Sequence, residues 1–188
     1  MNAAGPVHQE GTAHQPATRP RAVLVGLPGV GKSSVGTRLA SRLSLPFADS
    51  DWLVEQAAGR DVAEIFATEG EAGFREREAA AVLDALSGFG GVLALGGGAV
   101  TVERVRQGLA EAAVPVVLLT AAEPELLRRL GRSPNSRPLL AGDLAGRLAT
   151  LTVERAELYR QVCTFSVDTA GRSVAAVAEL VLRELTRG

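Results

Sequence analysis

Eight residues, Gly26-Leu27-Pro28-Gly29-Val30-Gly31-Lys32-Ser33, follow an apolar tetrad, Ala22-Val23-Leu24-Val25, and precede a segment in which Val35, Leu39 and Leu43 recur at intervals of four. The octad fits G-x-x-x-x-G-K-[ST], a phosphate-binding loop. The tetrad suits a strand buried in a parallel sheet, and the later spacing suits one face of a helix. Strand, glycine loop and helix together aim free backbone N–H groups and a helix N-terminus at one point, where an anion is stabilised. In that arrangement Gly29, Val30, Gly31, Lys32, Ser33 and Ser34 would line a bound phosphate chain. Lys32 reaches the β- and γ-phosphates and the Ser33 hydroxyl holds Mg²⁺.

The chain has 188 residues, of which 46% are hydrophobic, and a net charge of −1. That length is enough for one domain with a real core. The charge gives no electrostatic reason to expect nucleic acid or an anionic membrane as partner. Cys163 is the single cysteine, so no internal disulfide can form and a reducing, cytoplasmic setting is expected. No apolar run approaches the ~20 residues of a membrane span, and the N-terminus lacks the apolar core of a secretory signal. Residues 1–20 are rich in Ala, Gly, Pro, Gln and Thr without hydrophobic period, so a disordered tail is expected before a domain at 21–188. Both histidines, His8 and His14, fall in that tail, so a general base in the domain must be another residue type.

From Arg21 onward strands and helices alternate. Strands are expected at Val23–Gly26, 46–48, 92–95, 114–120 and 165–168. Helices are expected to about Ser44, near 51–67, 71–87, 102–112 and 123–130, and over 144–162 and 174–185. Apolar strands separated by helices predict an α/β fold: three α/β/α layers with a five-stranded parallel sheet. The polar stretch 131–142, with two prolines, reads as a lid.

Ligands of such sheets sit beyond the carboxyl ends of the strands. Besides the phosphate loop, this rule selects Asp49 and Asp51, Gly96, Gly97 and Gly98, and Thr120. One carboxylate can support Mg²⁺ and the other can orient a hydroxyl and take its proton, or either can cap the next helix. Arg155 lies on the apolar stripe of its helix, with Leu151 four residues before and Leu158 three after, and a buried guanidinium needs an anionic partner. Arg75 follows Phe74, and Glu78 three residues on can hold it.

With those residues in place the chain resembles the shikimate kinase family over nearly all of 21–188. The matching stretches are Gly26–Ser33, Asp49-Ser50-Asp51, Gly73-Phe74-Arg75-Glu76-Arg77-Glu78, Leu95-Gly96-Gly97-Gly98-Ala99-Val100, Arg137-Pro138-Leu139-Leu140 and Glu154-Arg155-Ala156-Glu157-Leu158-Tyr159. The resemblance implies a P-loop NTPase fold of the nucleoside-monophosphate-kinase type. It implies ATP- and Mg²⁺-dependent phosphorylation of the shikimate 3-hydroxyl, a step toward chorismate and the aromatic amino acids, by a monomer. It makes Asp51, Lys32 and Arg137 catalytic. Shikimate contacts would be Asp51, Arg75, Glu78, Gly96, Gly97, Gly98 and Arg155, with the glycines letting backbone N–H approach the ring. Metal contacts would be Ser33 and Asp49. Further nucleotide contacts would be Arg137, Arg172 and an upstream lid arginine, Arg129 or Arg132. Two other readings stay open: a gluconate or nucleoside-monophosphate kinase on the same scaffold, or an ATP-sensing module without transfer.

Overall fold

A computed structural model describes residues 19–131 and 143–187. Five strands, β1 (Ala22–Val25), β2 (Phe47–Asp49), β3 (Val92–Ala94), β4 (Val116–Thr120) and β5 (Phe165–Asp168), form one parallel sheet in the order β2-β3-β1-β4-β5. Every residue of β1 is buried, as expected of a central strand with helices on both faces. The pleat divides the core in two. Leu24 faces Val35 and Leu39 of α1 (Lys32–Leu43) and Val181 and Leu185 of α7 (Val174–Arg187). Val23 and Val25 face the opposite layer, with Ala79, Val82, Leu109 and Tyr159. These belong to α3 (Val62–Gly88), α4 (Glu103–Ala112) and α6 (Leu144–Val162). The remaining helices are α2 (Ser50–Ala58) and α5 (Glu123–Leu130).

The expected helix near 51–67 is two helices. Gly59 ends α2 in a left-handed conformation at φ 64°, its N–H donating to Glu55 O at 2.9 Å. Asp61 starts α3 by accepting from the Glu64 N–H at 2.7 Å. The expected break before residue 71 is a kink, since Gly70 takes φ 70°, ψ −175° within α3. Glu69 braces it, accepting from Arg77 Nε at 2.7 Å on the far side and from Arg60 on the near side. Those hydrogen bonds, Arg77's first, hold the Glu69 carboxyl down to about 2. A short 3₁₀ turn at Ala99–Thr101, absent from the expected elements, follows the Gly96–Gly98 run.

Packing already holds the chain at Pro20, which is buried, and Arg19 donates to Ala112 O at 3.2 Å. The expected tail up to residue 18 and most of the expected lid, 132–142, lie outside the described residues, and Arg132 and Arg137 with them.

Candidate active site

The carboxyl ends of β1, β2 and β3 open into a cleft of about 390 Å³. Its walls come from the loop before α1, the starts of α2 and α6's inner face, the kinked part of α3 and the glycine run after β3.

At one end the wall is backbone. Gly26, Gly29 and Gly31 have φ of 143°, 82° and 99°, a region that side chains rarely tolerate. A Cβ on Gly26 would also stand 2.4 Å from Leu119 O. α1 starts at Gly31 with no side-chain cap and no acidic residue in its first turn, so its leading N–H groups and dipole face the cleft uncompensated. The Lys32 ammonium is anchored across the loop, donating to Gly26 O at 2.8 Å and Leu27 O at 3.2 Å. Arg129 fastens the loop from behind: it donates to Val30 O at 3.2 Å, to Thr169 Oγ1 at 3.0 Å and to Glu125 Oε1 at 2.7 Å.

At the turn from β2 to α2 the two aspartates separate their tasks. Asp49 caps the helix, Oδ1 accepting from the Asp51 N–H at 3.1 Å, while Oδ2 accepts from Ser33 Oγ at 2.7 Å. Asp51, one turn-step later, is exposed at the cleft wall. Asp49 is thus the helix cap, and Asp51 faces the cleft. Ser33 and Asp49 present two hard oxygens side by side. That set fits Mg²⁺, which binds few protein oxygens and completes its shell with phosphate and water. No group of three His, Cys, Asp or Glu able to hold a metal occurs among the described residues.

The far end is built from buried side chains. Glu78 is fully buried, and Oε2 accepts from Arg75 Nη1 at 2.5 Å. Arg75 lies over the Phe74 ring at 5.3 Å, where guanidinium and ring face attract. Arg155 is 6% exposed, and its Nε and that of Arg75 are buried polar atoms with no hydrogen-bond partner. Tyr159 donates to Gly97 O at 2.6 Å. Burial raises its hydroxyl to about 12 against the opposing pull of Arg155, which is hydrogen-bonded to it. The glycines make room for these groups. A Cβ on Gly98 would stand 2.2 Å from Arg75 Nη2, and one on Gly97 3.4 Å from Arg155 Nη1. Two guanidiniums converging on adjacent glycines, with polar atoms still unpaired, make a receptor for a planar anion such as a carboxylate.

The model of the shikimate kinase family matches residues 28–186. This chain belongs to the shikimate kinase family. A shikimate kinase of Mycobacterium marinum is 49% identical over 167 residues, covering 88% of this chain and 89% of the relative. The structure of a shikimate kinase from Acinetobacter baumannii in complex with shikimate superposes with a TM-score of 0.85 at 34% identity, covering 92% of this chain and 95% of that one. A gluconokinase from Sinorhizobium meliloti shares the fold at a TM-score of 0.60 and 24% identity, covering 90% and 93%.

Against this family's expected site, the structure brings Gly29, Gly31, Lys32, Ser33, Ser34, Asp49, Asp51, Arg75, Gly96, Gly97, Gly98, Arg129 and Arg155 to one cleft. Four expectations change. Glu78 stands behind the wall and holds Arg75, because its carboxylate is fully buried. Gly96 does not offer its N–H to a ligand, because Ser50 Oγ accepts it at 2.7 Å. The Val30 side chain packs in the core at 1% exposure, leaving only its backbone for the phosphate loop. Arg172 stays outside the cleft wall, bonded to Asp168 O at 3.3 Å in the loop after β5. Ser50, Tyr159 and Thr169 also support the site, through bonds to Glu78 and Gly96, to Gly97, and to Arg129. Their signal is contact with distant segments, which spacing along the chain does not carry.

Proposed function

We propose that the chain transfers the γ-phosphoryl group of ATP to the 3-hydroxyl of shikimate, giving shikimate 3-phosphate and ADP on the way to chorismate and the aromatic amino acids. The observation that carries this reading is the cleft itself, whose walls gather a phosphate-binding loop, the Arg75 and Arg155 guanidiniums and Asp51. The loop amides, the α1 N-terminus and Lys32 neutralise the phosphates. Ser33 and Asp49 would hold Mg²⁺, which would supply charge neutralisation at the transferring phosphates. Arg75 and Arg155 clamp the substrate carboxylate and so fix the ring's orientation. Asp51 holds the attacking hydroxyl and accepts its proton. From the resemblance alone, Arg137 would stabilise charge on the transferring group. Arg129, fixed beside the loop, is the upstream arginine on the nucleotide side.

The reading makes the chain a cytoplasmic monomer acting on small molecules, with neither nucleic acid nor membrane as partner. The net charge of −1 supports it. No helix among the described residues is long and apolar enough to cross a membrane.

Coupled ADP release with ATP and Mg²⁺ tests the reading. Shikimate should be turned over well above quinate and gluconate. Preference for gluconate would make the chain another kinase on this scaffold, and ATP binding without turnover of any acceptor would make it a sensor.

A further inference from the structure

Ser50 is the residue between the two cleft aspartates, and its side chain points the other way. It is completely buried. Its hydroxyl donates to Glu78 Oε1 at 3.0 Å and accepts from the Gly96 N–H at 2.7 Å. The second Glu78 oxygen, Oε2, is the one that holds Arg75. One small hydroxyl therefore joins the start of α2, the middle of α3 and the end of β3.

We infer that Ser50 is a positioning residue that sets the Arg75 guanidinium for the substrate carboxylate by engaging one oxygen of Glu78 and leaving the other for the arginine. This rests on the function proposed above. A buried carboxylate seeks donors for both oxygens. With Ser50 on Oε1, Glu78 grips Arg75 through Nη1 alone; Nη2, beside Gly98, has only a long 3.4 Å contact with the exposed Glu71 Oε1, and Nε has no partner. Without the hydroxyl, the carboxylate turns both oxygens onto Arg75 in the fork-to-fork geometry that such pairs favour. That draws the guanidinium back from the cleft and leaves the Gly96 N–H unpaired. The same hydroxyl fixes the backbone that carries Asp51, since Ser50 and Asp51 are consecutive.

The test compares Ser50→Ala, Ser50→Cys and Ser50→Thr in the full chain, with KM measured separately for shikimate and ATP. Ala and Cys should raise the shikimate KM by about tenfold or more, the scale of a lost hydrogen bond to a charged group. The ATP KM should stay within about twofold, since the Ser50 hydroxyl bonds only Glu78 and Gly96 and no residue of the phosphate loop. The preference for shikimate over its uncharged methyl ester should shrink by the same factor, which general loosening of the fold would not produce. Thr, which keeps the hydroxyl, should restore the shikimate KM. If Ala fails to fold, Cys, of similar size but a weak donor, gives the same readout. An unchanged shikimate KM in a folded Ala or Cys variant, or KM values for both substrates rising together, would overturn the inference alone. No turnover of shikimate by the unaltered chain would overturn the proposed function and this inference with it.

Discussion

At the phosphate end of the cleft recognition belongs to the backbone, and at the carboxylate end to side chains gathered from across the molecule. Gly26 to Ser34 form one unbroken stretch whose amides, helix start and lysine already point at a common centre. Arg75, Glu78, Ser50, Gly97, Gly98 and Arg155 come from four separate elements and meet only because the sheet order and the α3 kink bring them together. The first construction tolerates nothing with a Cβ at its positive-φ glycines. The second depends on buried partners that never touch a ligand. A change at the phosphate end should therefore act on turnover, and one at the carboxylate end on shikimate recognition.

The largest expected effect lies between the two ends. Asp51→Asn keeps the shape of the side chain but cannot accept a proton, and kcat should fall about 10²–10⁴-fold. Lys32→Ala should fall comparably, with the melting temperature of each protein as the check on folding. Near-normal kcat in folded Asp51→Asn would remove the base from this site.

Gly98→Ala comes next. Gly98 has an ordinary negative φ of −99°, so the backbone accepts alanine. The obstacle is the Arg75 guanidinium, 2.2 Å from the new Cβ. Displacing that group by about an ångström should raise the shikimate KM about 10²-fold and leave the ATP KM unchanged. A rise in the ATP KM instead would mean that the glycine run serves the nucleotide.

Arg155→Lys should be milder. The positive charge survives but the bidentate fork does not, so calorimetry should show shikimate affinity down about tenfold and ATP affinity nearly constant. Equal weakening of both ligands would dissolve the distinction between the two ends.

These contrasts follow what could be seen in the chain. The phosphate loop was legible because its chemistry is local: glycine, lysine and serine at fixed offsets between a strand and a helix. The parallel sheet was legible because its strands are continuous apolar runs. Arg155 was legible because a charge on an apolar stripe is anomalous. The role of Glu78 was misassigned because spacing placed it near Arg75 without showing that burial removes it from the cleft. The Gly96–Gly98 run was expected to expose amides, whereas Gly98 clears space for the Arg75 guanidinium and Gly96 gives its N–H to Ser50. The boundary between α2 and α3 was missed because hydrophobic spacing runs on through Gly59 and Asp61, whose capping geometry decides it.

The smallest expected effect concerns Tyr159, the only tyrosine in the chain. Its hydroxyl titrates at about 12 in the folded protein and near 10 when unfolded. Because the folded value is the higher, the unfolded state loses its proton first as pH rises. This contribution to stability is intact below pH ~10 and is lost as pH climbs toward ~12. Absorbance of the phenolate should therefore show a late midpoint in native protein, and Tyr159→Phe should flatten that part of the stability curve. A native midpoint near 10 would mean that the Tyr159 hydroxyl is not buried in the folded protein.

The division of the cleft is tested most directly by the steady-state kinetics of phosphoryl transfer from ATP to shikimate and to its methyl ester, which keeps every hydroxyl and removes only the carboxylate charge. kcat/KM should fall about 10²-fold or more for the ester, as expected when the buried Arg155 and the partly buried Arg75 lose their anion, while the ATP KM is the same with either acceptor. An ester turned over within a few-fold of shikimate would contradict it, because Arg75 and Arg155 would then have no carboxylate to read.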